Sequence, residues 1–248
     1  VCEPRYMDTP SIQEGLKAGR IADMGEATAP NVEMMIDKGA GLVIVSPFQN
    51  SGYGPVEKLG IPIIEGADYM ESLPLGRTEW IRFYGMLFGK EALADSIFRQ
   101  TEKSYLDLKQ LVTADMPRPT VISEKKFGAS WFMPAGDSYI ANMYADAGAD
   151  YVFKELPGAG STPLAFETVL DRAIHADMWL IKYNQSEDMT YGDLRAEYAP
   201  YENFDAFKNR RIYSCNTGLV PYYEEFPLHP DYLLKDLIWV FHPELLPG

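Results

Sequence analysis

The chain has 248 residues and a formal net charge of -14 at pH 7. This acidity argues against nucleic-acid binding, which depends on clustered Lys and Arg, and no apolar run approaches the ~20 residues of a membrane span. The two cysteines, Cys2 and Cys215, are too few for a disulfide framework. Because the chain starts at Val1 without a methionine, we expect it to be processed or trimmed, which leaves its compartment open.

The first 75 residues alternate between predicted strands and helices. Residues 1–6 are predicted as the end of a strand, and helices are predicted at 11–18, 30–38 and 55–59. Residues 41–46 and 61–65 are continuously apolar or nearly so, which is typical of strands buried on both faces. The alternation predicts a parallel sheet with helices packed on it.

The longest stretch without proline predicts two consecutive helices, 76–88 and 90–112, with Gly89 as the left-handed residue that ends the first. At about 1.5 Å per residue, the second helix is a rod of about 34 Å. Pro117 and Pro119 stop it. We expect this rod to join two lobes.

After the prolines the alternation begins again. Strands are predicted at 120–123, 151–153, 178–181 and 211–214, helices at 138–147, 166–174, 191–207 and 230–242, and loops at 127–137 and 157–162. The fold class is therefore α/β. We predict two Rossmann-like lobes with mostly parallel sheets, residues 1–75 and 117–248, joined by the helices in residues 76–116.

The sequence contains none of the common catalytic or nucleotide-binding motifs, including GxSxG, HExxH, GxGxxG and the P-loop. The histidines His175, His229 and His242 are far apart and lie close to prolines or helix ends. We therefore predict no catalytic residue and no protein-bound metal.

The loops that follow the strands combine aromatic and amide residues. In parallel sheets, ligands bind beyond the carboxyl ends of the strands. We predict a cleft lined by the rings of Phe48, Tyr53, Trp131, Tyr183 and Tyr222, with hydrogen bonds from Gln49, Asn184 and Asn216. Arg77 is either a contact for an anionic ligand or an ordinary surface arginine. If Trp131 stacks on the ligand, Trp131→Ala should weaken binding by roughly 1–3 kcal/mol.

Several stretches along the chain carry a resemblance to a known family. They are Pro30-Asn-Val-Glu33 with residues 42–46, then residues 59–63, 87–91 and 147–151, residues 166–170 with 176–179, residues 229–231 with 234–236, and His242-Pro243. In this order they resemble the periplasmic substrate-binding proteins of ABC importers for iron–siderophore complexes, haem and cobalamin. Each stretch is loose by itself, and together they cover nearly the whole chain.

The resemblance implies two α/β lobes, a long connecting helix and a ligand held between the lobes. It implies a monomeric periplasmic protein, with a lipid anchor left open, that delivers a ferric siderophore to the permease dimer of an ABC importer. A haem or cobalamin carrier of the same build is the alternative, and an enzyme on a similar scaffold is the rival of a different class. No cofactor is expected beyond the transported chelate. Because members usually open with a further strand and helix, we expect the first lobe to be truncated.

A short repeat links the two halves of the chain. The pattern Glu-x-x-aliphatic-Asp-basic occurs at 33–38 and again at 167–172, each time before a predicted buried strand. A carboxylate at either helix start is explained by the helix dipole alone. The resemblance adds a second role, since the glutamates at these two positions in the family dock onto arginines of the permease. Glu33 and Glu167 are therefore the predicted docking residues.

Overall fold

The computed structural model describes residues 1–47 and 52–246, which form a first compact unit, Val1–Tyr69, and a second, Met70–Gly248. The large cluster of buried apolar side chains lies in the second unit. In the described part of the first unit, the buried apolar side chains are Met35 and Val56. The second unit therefore has the larger core of the two.

The first unit opens with a 3-10 turn, Pro4–Tyr6, where the end of a strand was predicted. Its helices are α1 (Pro10–Lys17) and α2 (Val32–Asp37), and β1 (Gly25–Glu26) pairs with β2 (Ala29–Pro30) in an antiparallel hairpin. Asn31 caps α2, because its side-chain oxygen accepts a hydrogen bond from the Met34 N–H at 3.0 Å.

A second pair of strands in this unit is parallel, as predicted. β3 (Val43–Val45) pairs with β4 (Ile63–Glu65), and a 3-10 helix, Gly54–Leu59, lies between them in sequence. The prediction that β3 is buried on both faces is wrong, because Ile44 is 39% exposed. An uninterrupted apolar run does not reveal which of its faces is covered, since that depends on elements distant in sequence.

The two long helices are confirmed with somewhat different bounds. They are α3 (Pro74–Leu87) and α4 (Glu91–Lys109), and Gly89 between them has the predicted left-handed φ of 62°. With 19 residues, α4 is about 28 Å long rather than 34 Å. α3 packs closely on α4, and a Cβ on Gly85 would lie only 2.4 Å from the Cβ of Ala94. Both helices belong to the second unit, where α4 packs against the last helix.

The second unit is built on a four-stranded parallel sheet. Its strands are β5 (Thr120–Ser123), β8 (Asp150–Tyr151), β10 (Met178–Tyr183) and β11 (Ile212–Asn216), in the order β11-β10-β5-β8. The helices in sequence are α5 (Tyr139–Asp146), α6 (Phe166–Ala173), α7 (Tyr191–Glu197), α8 (Asp205–Lys208), α9 (Tyr222–Glu225) and α10 (Pro230–Phe241). The alternation of strand and helix predicted this parallel arrangement correctly.

A three-stranded antiparallel sheet occupies residues that were predicted as loops. It consists of β6 (Lys126–Phe127), β7 (Ser130–Pro134) and β9 (Ser161–Leu164). Side chains alternate across β7, so that Trp131 and Met133 are fully buried whereas Phe132 is 44% exposed. The prediction of loops at 127–137 and 157–162 is therefore wrong for these strands. Glycines and prolines within such short segments conceal the strand pattern.

Candidate functional site

The carboxyl ends of β5, β10 and β11 meet at one edge of the parallel sheet. The register pairs Ser123 with Leu180 and Leu180 with Tyr213, and it pairs Lys182 with Cys215. Because paired residues in a sheet point to the same face, these five side chains share one face.

This face forms the floor of a cavity of about 630 Å³. One wall is α10, whose lining residues recur at helical spacing: Tyr232, Leu233, Asp236, Leu237 and Val240. The opposite wall is the segment 219–226, which includes Tyr222 and Phe226. Cavities of about 300–1,000 Å³ with mainly apolar and aromatic linings are typical of small-molecule sites in proteins.

One lysine is held inside the cavity by a carboxylate and two aromatic rings. The Lys182 Nζ lies 3.5 Å from Glu124 Oε1. It also lies 5.3 Å from the ring centre of Tyr222 and 5.7 Å from that of Tyr223. An ammonium group over the face of an aromatic ring is attracted by the ring quadrupole. Lys182 therefore links the end of β10 to the segment that walls the cavity.

Burial shifts the pKa values of several groups at the site. Desolvation raises the pKa of the Cys215 thiol and raises the pKa of the Tyr222 hydroxyl well above its usual range. Both groups are therefore neutral at pH 7. Desolvation also raises the pKa of the Asp236 carboxyl, since burial disfavours its charged form.

Asn216, which was predicted to bind a ligand, uses its amide to hold two loops. Its Oδ1 accepts hydrogen bonds from the backbone N–H groups of Gln185 and Gly218, both at 3.1 Å. Its Nδ2 donates to the Glu187 carbonyl at 3.0 Å. Asn216 also lines the cavity, next to the loops after β10 and β11 that its amide holds together.

We expect Asn216→Ala to lower the free energy of unfolding of the second unit by about 1 kcal/mol, because it leaves three part-buried backbone groups without this partner. Hydrogen exchange in residues 184–189 should speed up at the same time. Asn184→Ala is the matched control, since that exposed side chain makes one hydrogen bond, to Thr217 Oγ1 at 3.2 Å. Equal effects of the two substitutions would contradict this role for Asn216.

Tyr183 and Asn184 do not line the cavity. Tyr183 is buried at the end of β10, and its hydroxyl accepts a hydrogen bond from the Met189 N–H at 2.8 Å. Asn184 is exposed beside it. Of the predicted ligand-binding residues, the cavity thus brings together Asn216 and Tyr222.

The structure places Trp131 in the core, so the prediction that its ring stacks on a ligand is wrong. The side chain is 0% exposed, and its ring nitrogen donates a hydrogen bond to the Ser123 carbonyl at 2.9 Å. Four aromatic rings surround it, those of Phe166, Trp179, Tyr201 and Phe204. The inward face of β7 carries Trp131 onto the side of the parallel sheet opposite the cavity, next to Trp179.

Three other predicted residues lie elsewhere or outside the described chain. Arg77 is half-buried with its guanidinium 4.4 Å from the ring centre of Tyr139, and it is not a lining residue of the cavity. Phe48 and Gln49 lie outside the described residues.

Tyr53 belongs to the first unit, where its hydroxyl bonds to the Glu65 carboxylate. That hydrogen bond favours the protonated hydroxyl and raises the pKa of Tyr53 to about 12. Tyr53 is therefore a neutral hydrogen-bond donor at pH 7.

Glu33 and Glu167 are both exposed, as expected of docking residues. Each lies in the first turn of a helix, α2 and α6, that precedes a parallel strand of its own unit. The repeat in the sequence therefore corresponds to the same local structure in both units.

The cavity is also lined by four chemically important residues that were not predicted from the sequence: Glu124, Lys182, Cys215 and Asp236. A signal was available for Lys182, because a single lysine near the end of an otherwise apolar strand must point to a polar partner. No local pattern marks Asp236, since the cavity lies against a helix that follows much later in the chain.

Residues 1–47 and 52–246 contain no group of three or more His, Cys, Asp or Glu side chains placed to hold a metal ion. None of the helices in the same ranges combines the length and apolar character that a membrane span requires.

The sequence matches the family model described as "Periplasmic binding protein" over residues 11–217. The chain belongs to the periplasmic binding protein family. Among curated relatives, it is similar to an uncharacterized lipoprotein of Methanocaldococcus jannaschii, with 29% identity over 242 residues, which cover 96% of this chain and 56% of the relative. The chain spans between 56% and 64% of the length of the curated relatives it matches.

Solved structures of periplasmic binding proteins share its fold. The haem complex of IsdE from S. aureus matches with a TM-score of 0.67 at 17% identity, covering 96% of this chain and 86% of that one. An ABC-type Fe³⁺-hydroxamate transport protein from Saccharomonospora viridis matches with a TM-score of 0.66 at 16% identity, covering 99% and 83%. The predicted α/β class and the resemblance to this family are confirmed. Members of the periplasmic binding protein family bind solutes for transport and deliver them to ABC permeases.

Proposed function

We propose that this protein captures a ferric siderophore in the cavity at the carboxyl edge of the second unit's sheet and delivers it to the permease dimer of an ABC importer. The observation that carries the proposal is the cavity itself, about 630 Å³ in volume and lined mainly by apolar and aromatic side chains. The similarity to an Fe³⁺-hydroxamate transport protein supports the choice of ligand.

Haem is the second candidate, because the haem complex of IsdE has the same fold. Haem iron is commonly held by histidine, thiolate, methionine or tyrosine. Cys215 and Tyr222 line the cavity, but desolvation raises the pKa of both and keeps them neutral. The carboxylates of haem would also meet the carboxylates of the lining. These observations favour a ferric siderophore over haem.

We further propose that the protein acts as a monomer without catalytic activity, on the outer side of the cell membrane, in the periplasm. A lipid anchor fits the description of its relative as a lipoprotein. The exposed Glu33 and Glu167 would supply the contacts to the permease, as matched charges on the two units.

The proposal is tested by titrating the purified protein with ferric siderophores, haemin and cobalamin while tyrosine and tryptophan fluorescence is recorded. We expect saturable binding of a ferric siderophore and no conversion of it on prolonged incubation. Tighter binding of haemin or cobalamin would select the alternative ligand. No binding of any of the three would show that the proposed function is wrong.

Tyr222→Ala should weaken binding of the ferric siderophore by about 1–3 kcal/mol, because the ring forms part of the cavity wall. Phe127→Ala is the control, since this aromatic ring on β6 of the same unit is 80% exposed and does not line the cavity. Isothermal titration calorimetry on both variants gives the comparison. If the Tyr222 variant keeps its fold and its affinity is unchanged, the ligand does not bind in this cavity.

A further inference from the structure

The cavity of the second unit is lined by more negative than positive charge. Its charged lining residues are Glu124, Lys182, Asp188, Glu225 and Asp236. The one cation among them, Lys182, is 3.5 Å from Glu124 and cancels its charge. Lys182 also faces the rings of Tyr222 and Tyr223, so its ammonium group already has its partners before a ligand arrives.

The other three carboxylates are compensated less completely. Asp188 Oδ1 accepts hydrogen bonds from the Tyr183 hydroxyl at 3.3 Å and from Asn216 Nδ2 at 3.5 Å, and desolvation raises the pKa of Asp236 while the neighbouring Lys235 partly lowers it. Within the part of the chain that the structure describes, Asp188, Glu225 and Asp236 form no ion pair. They come from three separate elements, namely the loop after β10, the helix α9 and the helix α10. The negative charges therefore lie on several sides of the cavity.

Solvent reaches these charges, because Asp188 and Asp236 are exposed and Glu225 is half-buried. Apolar side chains such as Leu180, Leu233 and Val240 line the cavity beside them, so their effect on a bound ligand is screened only in part. The raised pKa of Cys215 has desolvation as its main cause; the charge of Lys182 lowers that pKa, and the charge of Asp236 raises it by less.

We propose that this cavity selects metal chelates with a positive or zero net charge and rejects anionic chelates. The inference rests on the proposed function, because it concerns the ligand of the same site. A cationic group near Asp188, Glu225 and Asp236 gains attraction from all three. An anionic chelate meets the same three carboxylates and has no free cation among the described lining residues to receive it. Arg77, the cation expected at the site, packs on Tyr139 instead.

The experiment compares three forms of one ligand. A linear trihydroxamate with a terminal amine gives a ferric complex with one positive charge. Acetylation of the amine makes the complex neutral, and succinylation gives it one negative charge, while the iron centre stays the same. We expect the dissociation constant at low ionic strength to rise on the order of tenfold for each step from positive to negative, with smaller steps at high salt.

Two isosteric substitutions test whether the carboxylates of the lining cause this preference. Asp236→Asn and Glu225→Gln each remove one charge, and together they should reduce each step to about threefold or less. Asp171→Asn is the control of the same chemistry. Asp171 is exposed on α6 and does not line the cavity, so the steps should remain those of the wild type.

The outcomes separate this inference from the function on which it rests. A graded preference that the double variant flattens supports both. Tightest binding of the negative complex, or equal binding of all three, overturns the charge selectivity while the protein remains a siderophore carrier. No binding of any ferric complex overturns the proposed function, and the selectivity fails with it. A preference that the double variant leaves unchanged also overturns the assignment to this cavity.

Discussion

Replacing Trp131 by alanine is expected to lower the free energy of unfolding of the second unit by about 3–5 kcal/mol. The side chain is fully buried, with ring centres of Trp179, Tyr201 and Phe204 between 5.4 and 5.8 Å away. Its removal leaves a cavity that these rings cannot fill and deprives the Ser123 carbonyl of a hydrogen-bond donor. Urea unfolding followed by circular dichroism measures the change.

Trp239→Ala is the matched control for Trp131→Ala. Trp239 lies on α10 in the same unit and is 55% exposed, so its loss should cost less than about 1 kcal/mol. If the Trp131→Ala chain does not fold, Trp131→Phe keeps a ring in the core and should show a smaller loss in the same direction. A stable Trp131→Ala protein with weakened siderophore binding would instead indicate that Trp131 contacts the ligand.

Replacing Glu33 and Glu167 together by alanine should abolish uptake of the ferric siderophore by cells while binding by the purified protein stays within about twofold of the wild type. Both carboxylates are exposed and neither lines the cavity, which is why binding should persist. Charge pairs at the rim of an interface mainly set orientation and association rate, so docking of the wild type should weaken with salt. Uptake of a radioactive iron complex measures the effect.

Glu14→Ala with Glu91→Ala controls for the loss of two charges. These glutamates are also exposed on helices, one in each unit, and uptake should be retained. Normal uptake by the Glu33 and Glu167 double variant would remove the docking role. The two carboxylates would then keep their effect on the helix dipoles, about 0.3–1 kcal/mol each at exposed sites.

Local patterns in the sequence were enough to predict the class of fold and several element boundaries. β5 lies at 120–123 as predicted, and Gly89 separates the two long helices. These features depend on residues close together in the chain. Apolar periodicity, a capping oxygen or a left-handed glycine acts locally, so the pattern can be recognised without the rest of the molecule.

The side chains that face the cavity could not be predicted from local patterns. In the run Trp131-Phe132-Met133 every residue is apolar, so the sequence offers no alternation that shows which side is buried. Pairing of β7 with β6 and β9 turned Trp131 inward, and the register of β10 with β11 placed Lys182 beside Cys215. Asp236 reached the same cavity on α10. Contacts of this kind join residues far apart in sequence, and they depend on strand register and helix packing, which no local pattern encodes.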